Sequence, residues 1–184
     1  MNEGSGARRH EQRGDSVEPH SLRSERARQI AVIGPARCAL DSEPARLAQE
    51  VGKLLAEAEV TLVCGGMSGA MEACCRGASE AGGEAIGILP GHDVSEANPF
   101  CTHVVATGIG HARNLAVVSS GRAVIAIGGE WGTLSEIAFA RAIGRTVVAL
   151  RSWTLSGQEQ MVNAPGVVLA DSAPEAVEMA RAAL

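Results

Sequence analysis

The chain has 184 residues and a mass of 18.9 kDa, which suits one domain of the usual ~100–200 residues, and its 46% apolar content can fill a core of that size. A formal charge of −5 and a pI of 5.5 argue against a phosphate-backbone binder. Two Trp, two Phe and no Tyr argue against a single-strand platform that stacks bases on aromatic rings. No nucleic-acid partner is therefore expected, and no membrane partner either, because no apolar run approaches the ~18 residues needed to span a bilayer. A small molecule is the better-suited ligand.

In chain order, residues 1–28 come first, with five acids and six arginines among Gly and Ser and almost no large apolar side chain. Such a stretch reads as a disordered, solvated tail. It lacks the apolar core of a secretory signal, and its acids set it apart from an organellar transit peptide. Five cysteines, Cys38, Cys64, Cys74, Cys75 and Cys101, form no CxxC pair. Their odd number and the missing signal point to a reducing cytoplasm. They do not suggest a metal, because side chains at i and i+1 on a helix face different ways, and a structural role is expected for them.

From residue 29 onward, short β-branched runs alternate with alanine-rich helical stretches. Strands are predicted at 29–34, 60–65, 84–89, 123–128 and 145–150, with weaker signals at 102–106 and 166–170. Helices are predicted at 43–58, 68–82, 110–120, 133–143 and 173–183. This alternation implies right-handed crossovers and a mostly parallel sheet with helices on both faces. The expectation is a single Rossmann-like α/β domain over 29–184, with its sites at the carboxyl ends of the strands.

Three strand exits carry chemistry. In "CGGMSGAME" (64–72), Gly65 and Gly66 end a strand and Gly69 falls where a helix should begin, so backbone and helix-start N–H groups can approach an anion. A tight turn without a ligand fits the same residues. This is not a dinucleotide fingerprint, since the glycines run G-G-x-x-G and the acid nearest the ribose position, Glu84, opens a strand. Nor is it a P-loop, because Lys53 is the sole lysine. In "ATGIGHARN" (106–114), Arg113 falls in a first helical turn, where a cation opposes the helix dipole unless an anion is near; His111 is a lesser candidate for the same pocket. In "GGEWGTLSE" (128–136), Gly128, Gly129 and Gly132 with the Thr133 hydroxyl make a phosphate cradle. Thr133 and Glu136 also have capping-box spacing, which leaves Glu136 open as a cap or as an acid facing the crevice. Capping when empty and facing ligand when occupied would reconcile the two.

The segments "GGMSGAM", "ARN" and "GGEWGTLSE", in this order, resemble the LOG family, long labelled lysine-decarboxylase-like, and most closely its bacterial Rossmann-fold branch of unassigned function. They are also similar to the molybdenum-cofactor carrier proteins. The likeness runs over roughly residues 29–170. No pyridoxal-phosphate lysine is evident, as Lys53 sits mid-helix, so the decarboxylase label carries nothing.

The LOG pattern is P-G-G-x-G-T-x-x-E, preceded by an Arg-Lys pair on the upstream helix. Here Ile127 stands in place of the proline and Asn114 in place of the lysine. The resemblance implies that Arg113 and Glu136 are catalytic, while Gly128, Gly129, Gly132 and Thr133 bind phosphate with Gly65, Gly66, Gly69 and Asn114 nearby. It implies release of a base from a nucleoside 5′-monophosphate by hydrolysis of the N-glycosidic bond. A carboxylate such as Glu136 can stabilise the oxocarbenium character that builds on the sugar, and Arg113, a permanent planar cation, can hold the phosphate.

Three readings stay open: a phosphoribohydrolase, a non-catalytic carrier of a phosphorylated ligand (a nucleotide or the molybdenum cofactor), and a structural or partner-binding domain. No resident cofactor and no metal are expected. Leu134, Ile137, Phe139, Ala140 and Ile143 give one helix more apolar surface than a single sheet face absorbs, which points to a homodimer or higher homo-oligomer.

Overall fold

The computed structural model describes Met1, residues 28–153 and residues 166–184. The expected tail, apart from its two end residues, lies outside the described residues. The elements are β1 (Gln29–Ile33), α1 (Glu43–Glu57), β2 (Thr61–Cys64), α2 (Ala70–Glu80), β3 (Ala85–Leu89), β4 (His103–Ala106), α3 (Arg113–Ser120), β5 (Ala123–Ile127), α4 (Trp131–Ala142), β6 (Thr146–Leu150), β7 (Val167–Ala170) and α5 (Ala173–Arg181). All seven predicted strands form, including the two weaker ones. They make one parallel sheet in the order β4-β3-β2-β1-β5-β6-β7.

Strand alternation sorts the core into two layers, since successive side chains point to opposite faces. Ile30, Val32, Leu62, Cys64, Ile125 and Ile127 meet α1, α2 and α5 on one side. Ala31, Ile33, Val63, Val124 and Ala126 meet Val117 and Val118 of α3 and Ile137 and Ala140 of α4 on the other. Near-continuous apolar strands are what burial of a parallel sheet on both faces demands.

Helix α1 begins after an extended Ser42 with Pro44 in its first turn, a position where the missing N–H costs nothing. It crosses α2 at very short range. A Cβ on Gly52 would lie 1.9 Å from the Cys74 carbonyl oxygen, and one on Gly77 would lie 1.9 Å from that of Gln49. Each helix thus lays backbone against backbone through its own glycine.

The chain enters at β1 and winds outward through β2, β3 and β4, then returns to the other side of β1 at β5. The order reverses between β1 and β5, the place where open α/β sheets leave a crevice at the strand carboxyl ends.

Candidate functional site

The crevice at that reversal is a pocket of about 850 Å³, within the ~300–1,000 Å³ typical of small-molecule sites. The exits of β1, β2 and β5 converge on it, as does the start of α3. Of the residues expected to bind, Gly65, Asn114, Gly129, Gly132, Thr133, Arg113 and Glu136 line it, and so does His111. Gly66, Gly69 and Gly128 do not line this pocket. Gly66 packs on Gly87 and Leu89, Gly69 sits under the Pro35 and Ala36 carbonyls, and Gly128 faces Pro44.

The α2 N-terminus is occupied by the protein itself. The Ala70 N–H donates to the Pro35 carbonyl at 3.0 Å, so the loop after β1 takes a group that a free helix start would offer to an anion. Asn98, 8% exposed, latches the same turn: its backbone N–H donates to the Gly66 carbonyl at 2.8 Å, and its side-chain amide donates to that of Met67 at 3.0 Å. The turn carrying Gly66 and Gly69 is thereby held from both sides.

The α4 N-terminus differs. The helix starts at Trp131, two residues before its predicted start, and its N-cap is Glu130, whose side chain makes no capping bond. Thr133 is therefore inside the first turn and cannot be the N-cap. The capping-box expectation fails for that reason: Thr133 Oγ1 is buried without a hydrogen-bond partner among the described residues. Glu136 pairs with Arg113, its Oε1 3.6 Å from Nη1.

Arg113 is 9% exposed and Glu136 7%. The guanidinium lies flat against Gly65, where a Cβ would come within 2.5 Å of Nη1, so only glycine leaves room for it. Its Nε has no hydrogen-bond partner among the described residues. Unsatisfied buried polar atoms cost roughly 1–3 kcal/mol, and two of them, Thr133 Oγ1 and Arg113 Nε, belong to residues that line this pocket. Burial pushes the Glu136 carboxyl up to about 7, against the opposing pull of the Arg113 cation. A carboxyl in that range exchanges protons readily at neutral pH.

Sequence reasoning missed the exit of β1. Gly34, Pro35, Ala36 and Arg37 line the pocket, and the available signal was Gly34 placed directly after the first strand of the winding. It also missed Trp131 and Trp153 at the pocket wall.

The premise that Cys74 and Cys75 face different ways, on which the expectation of no metal rested, does not hold in the fold. Cys74 and Cys75 are helix neighbours, yet both reach Cys64 of β2, and the three sulfurs lie within 4.8 Å of one another. Cys101 stands 3.7 Å from Cys75. Burial drives the Cys74 thiol well above its ordinary value; the neighbouring Cys101 and Cys74 thiols, together with burial, do the same for Cys64. Both thiols are thereby favoured in their neutral form. No described helix is long and apolar enough to cross a membrane.

Residues 27–177 match the model of the SLOG cluster4 family. An uncharacterized protein of Archaeoglobus fulgidus is 44% identical over 123 residues, 67% of this chain and 80% of that protein. Among solved structures, the molybdenum cofactor binding protein of Rippkaea orientalis is 34% identical with a TM-score of 0.76, covering 85% of this chain and 97% of its own. The molybdenum cofactor carrier protein of Chlamydomonas reinhardtii is 28% identical with a TM-score of 0.74, covering 85% and 98%.

Proposed function

Because the chain belongs to the SLOG cluster4 family, we propose that its pocket binds a phosphorylated, nucleotide-like small molecule, with Arg113 as the partner of the anion. The observation that carries this reading is the buried Arg113 and Glu136 pair at 3.6 Å, beside a helix start left without a side-chain cap. A guanidinium buried against Gly65 has lost its water, and its carboxyl partner, at about 7, is close to half-protonated at neutral pH. Protonation of Glu136 frees the cation for phosphate. The first-turn N–H groups of α4 and the Thr133 hydroxyl add donors on the same side. The molybdenum cofactor is the competing occupant, suggested by the similar proteins of R. orientalis and C. reinhardtii.

Thermal shift and calorimetry with a panel of nucleoside 5′-monophosphates and molybdopterin test the proposal. Stabilisation by at least one of them is expected, with affinity reduced on the order of tenfold or more by Arg113→Ala, the loss typical of a charge-assisted contact of ~1.5–3 kcal/mol. Gly65→Ala should mimic that loss, because the new methyl displaces the guanidinium. No shift with any member of the panel would overturn the reading.

Hydrolysis of the N-glycosidic bond is the second reading, favoured by the placement of Glu136 at about 7. Water adds at the anomeric carbon as the carbon–nitrogen bond breaks, and the base departs with a proton. Ionised Glu136 stabilises positive charge on the sugar, or draws a proton from the water. Base and ribose 5-phosphate released from purine monophosphates, with turnover cut ~10²-fold or more in Glu136→Gln at unchanged affinity, is the expected result. Binding without product would leave the carrier reading.

A further inference from the structure

Exposed apolar side chains that adjoin one another call for a reason more than scattered ones do, and here two exposed indoles adjoin. The chain has two tryptophans, and both line the pocket although they come from different strand exits. Trp131 opens α4 after β5, and Trp153 follows β6. Their ring centroids are 5.8 Å apart with planes tilted by 32°, inside the 4.5–7 Å range of favourable aromatic pairs. Trp131 is 79% exposed.

The position of Trp153 is built in. A Cβ on Gly129 would come within 2.6 Å of its indole Cδ1 and Nε1, so the ring rests on bare backbone in the glycine turn expected to cradle phosphate. Trp153 in turn backs Trp131. The exposed Trp131 ring is thus propped from behind, next to the donors that would hold an anion.

We propose that Trp131, backed by Trp153, is the stacking platform for a planar heterocycle on the ligand, so that the pocket reads a ring as well as a phosphate. This rests on the anion-pocket reading above. A third ring between the two indoles would need about twice the ~3.5 Å contact distance, more than their 5.8 Å separation provides. The ligand ring therefore lies on the open face of Trp131. Stacking of this kind needs no hydrogen-bond readout of the base, because every base has a π-face.

The protein carries its own probe, since it has no tyrosine and both tryptophans sit at the site. The full chain is titrated with AMP, GMP and ribose 5-phosphate, following tryptophan fluorescence and, independently, heat. AMP or GMP should bind roughly tenfold or more tighter than ribose 5-phosphate, the scale of one base stacked on one aromatic ring, and should quench the emission. Trp131→Ala should erase that advantage while leaving ribose 5-phosphate affinity within about twofold, and Trp131→Phe should restore most of it. Equal affinity for the nucleotides and the sugar phosphate, or an equal loss for both in Trp131→Ala, overturns the platform and leaves the anion pocket standing. No binding of any of the three overturns the platform, and the anion pocket falls with it if molybdopterin and the other monophosphates of the panel also fail to bind.

Discussion

At the scale of single residues, the telling feature is a carboxyl whose burial outweighs a cation 3.6 Å away. Folding raises the Glu136 pKa from 4.5 to about 7, so between those values the folded chain keeps a proton that the unfolded chain has released. Stability then falls as pH rises through that window and stays reduced above it, by on the order of 3 kcal/mol at one unit per 1.36 kcal/mol. Glu136→Gln carries no such proton. Its stability relative to the native chain should climb from about pH 4.5 to 7 and level off beyond, whatever constant offset the loss of the Arg113 counterion adds. Urea unfolding at pH 5 and pH 8 measures the difference, and a flat profile would contradict the raised pKa. The place of Arg113 at the crevice was legible because a cation in a first helical turn is out of place electrostatically, and Glu136 was legible as a side chain projecting from the next strand exit. The contact between Gly65 and the guanidinium was not, since nothing in a glycine's neighbours names the side chain that will cover it.

At the scale of elements, periodicity located each strand and α-helix of the described residues to within a few residues, and the two edge strands stood out least because half their side chains meet solvent. The start of α4 was misplaced for a physical reason. Capping-box spacing at Thr133 and Glu136 is a local signal, and here the tertiary ion pair from Glu136 to Arg113 prevails over it. The crossing of α1 and α2 was invisible too, because Gly52 and Gly77 read as mild defects in helices while the fold uses each as the other's contact surface. Gly52→Ala or Gly77→Ala, favourable by roughly 1 kcal/mol on helix propensity alone, should instead destabilise by about 1–3 kcal/mol or more through overpacking. Thermal unfolding of the two variants decides this, and stabilisation of either would refute the close crossing.

At the scale of the molecule, strand and helix alternation was enough to place the crevice at strand carboxyl ends, but not to pick the pair β1 and β5 that flanks it. Strand order is a property of the assembled sheet, which explains why the β1 exit, with Gly34 and Pro35, escaped notice. Of the apolar residues read as surplus around α4, Ile137 and Ala140 are fully buried against the sheet, while Phe139 and, just past the helix, Ile143 are each 43% exposed. Light scattering should therefore give at least twice the mass of one chain, and Phe139→Glu should lower it; a strictly monomeric native chain would remove this expectation.

The latch of Asn98 and the bond from Ala70 to Pro35 have a mechanical corollary. One jaw of the crevice is bolted to the frame, while the opposite jaw, the start of α4, has no side-chain cap and turns its indole to solvent. A guest in need of helix-start donors must therefore find them on that second side, away from the glycine turn before α2.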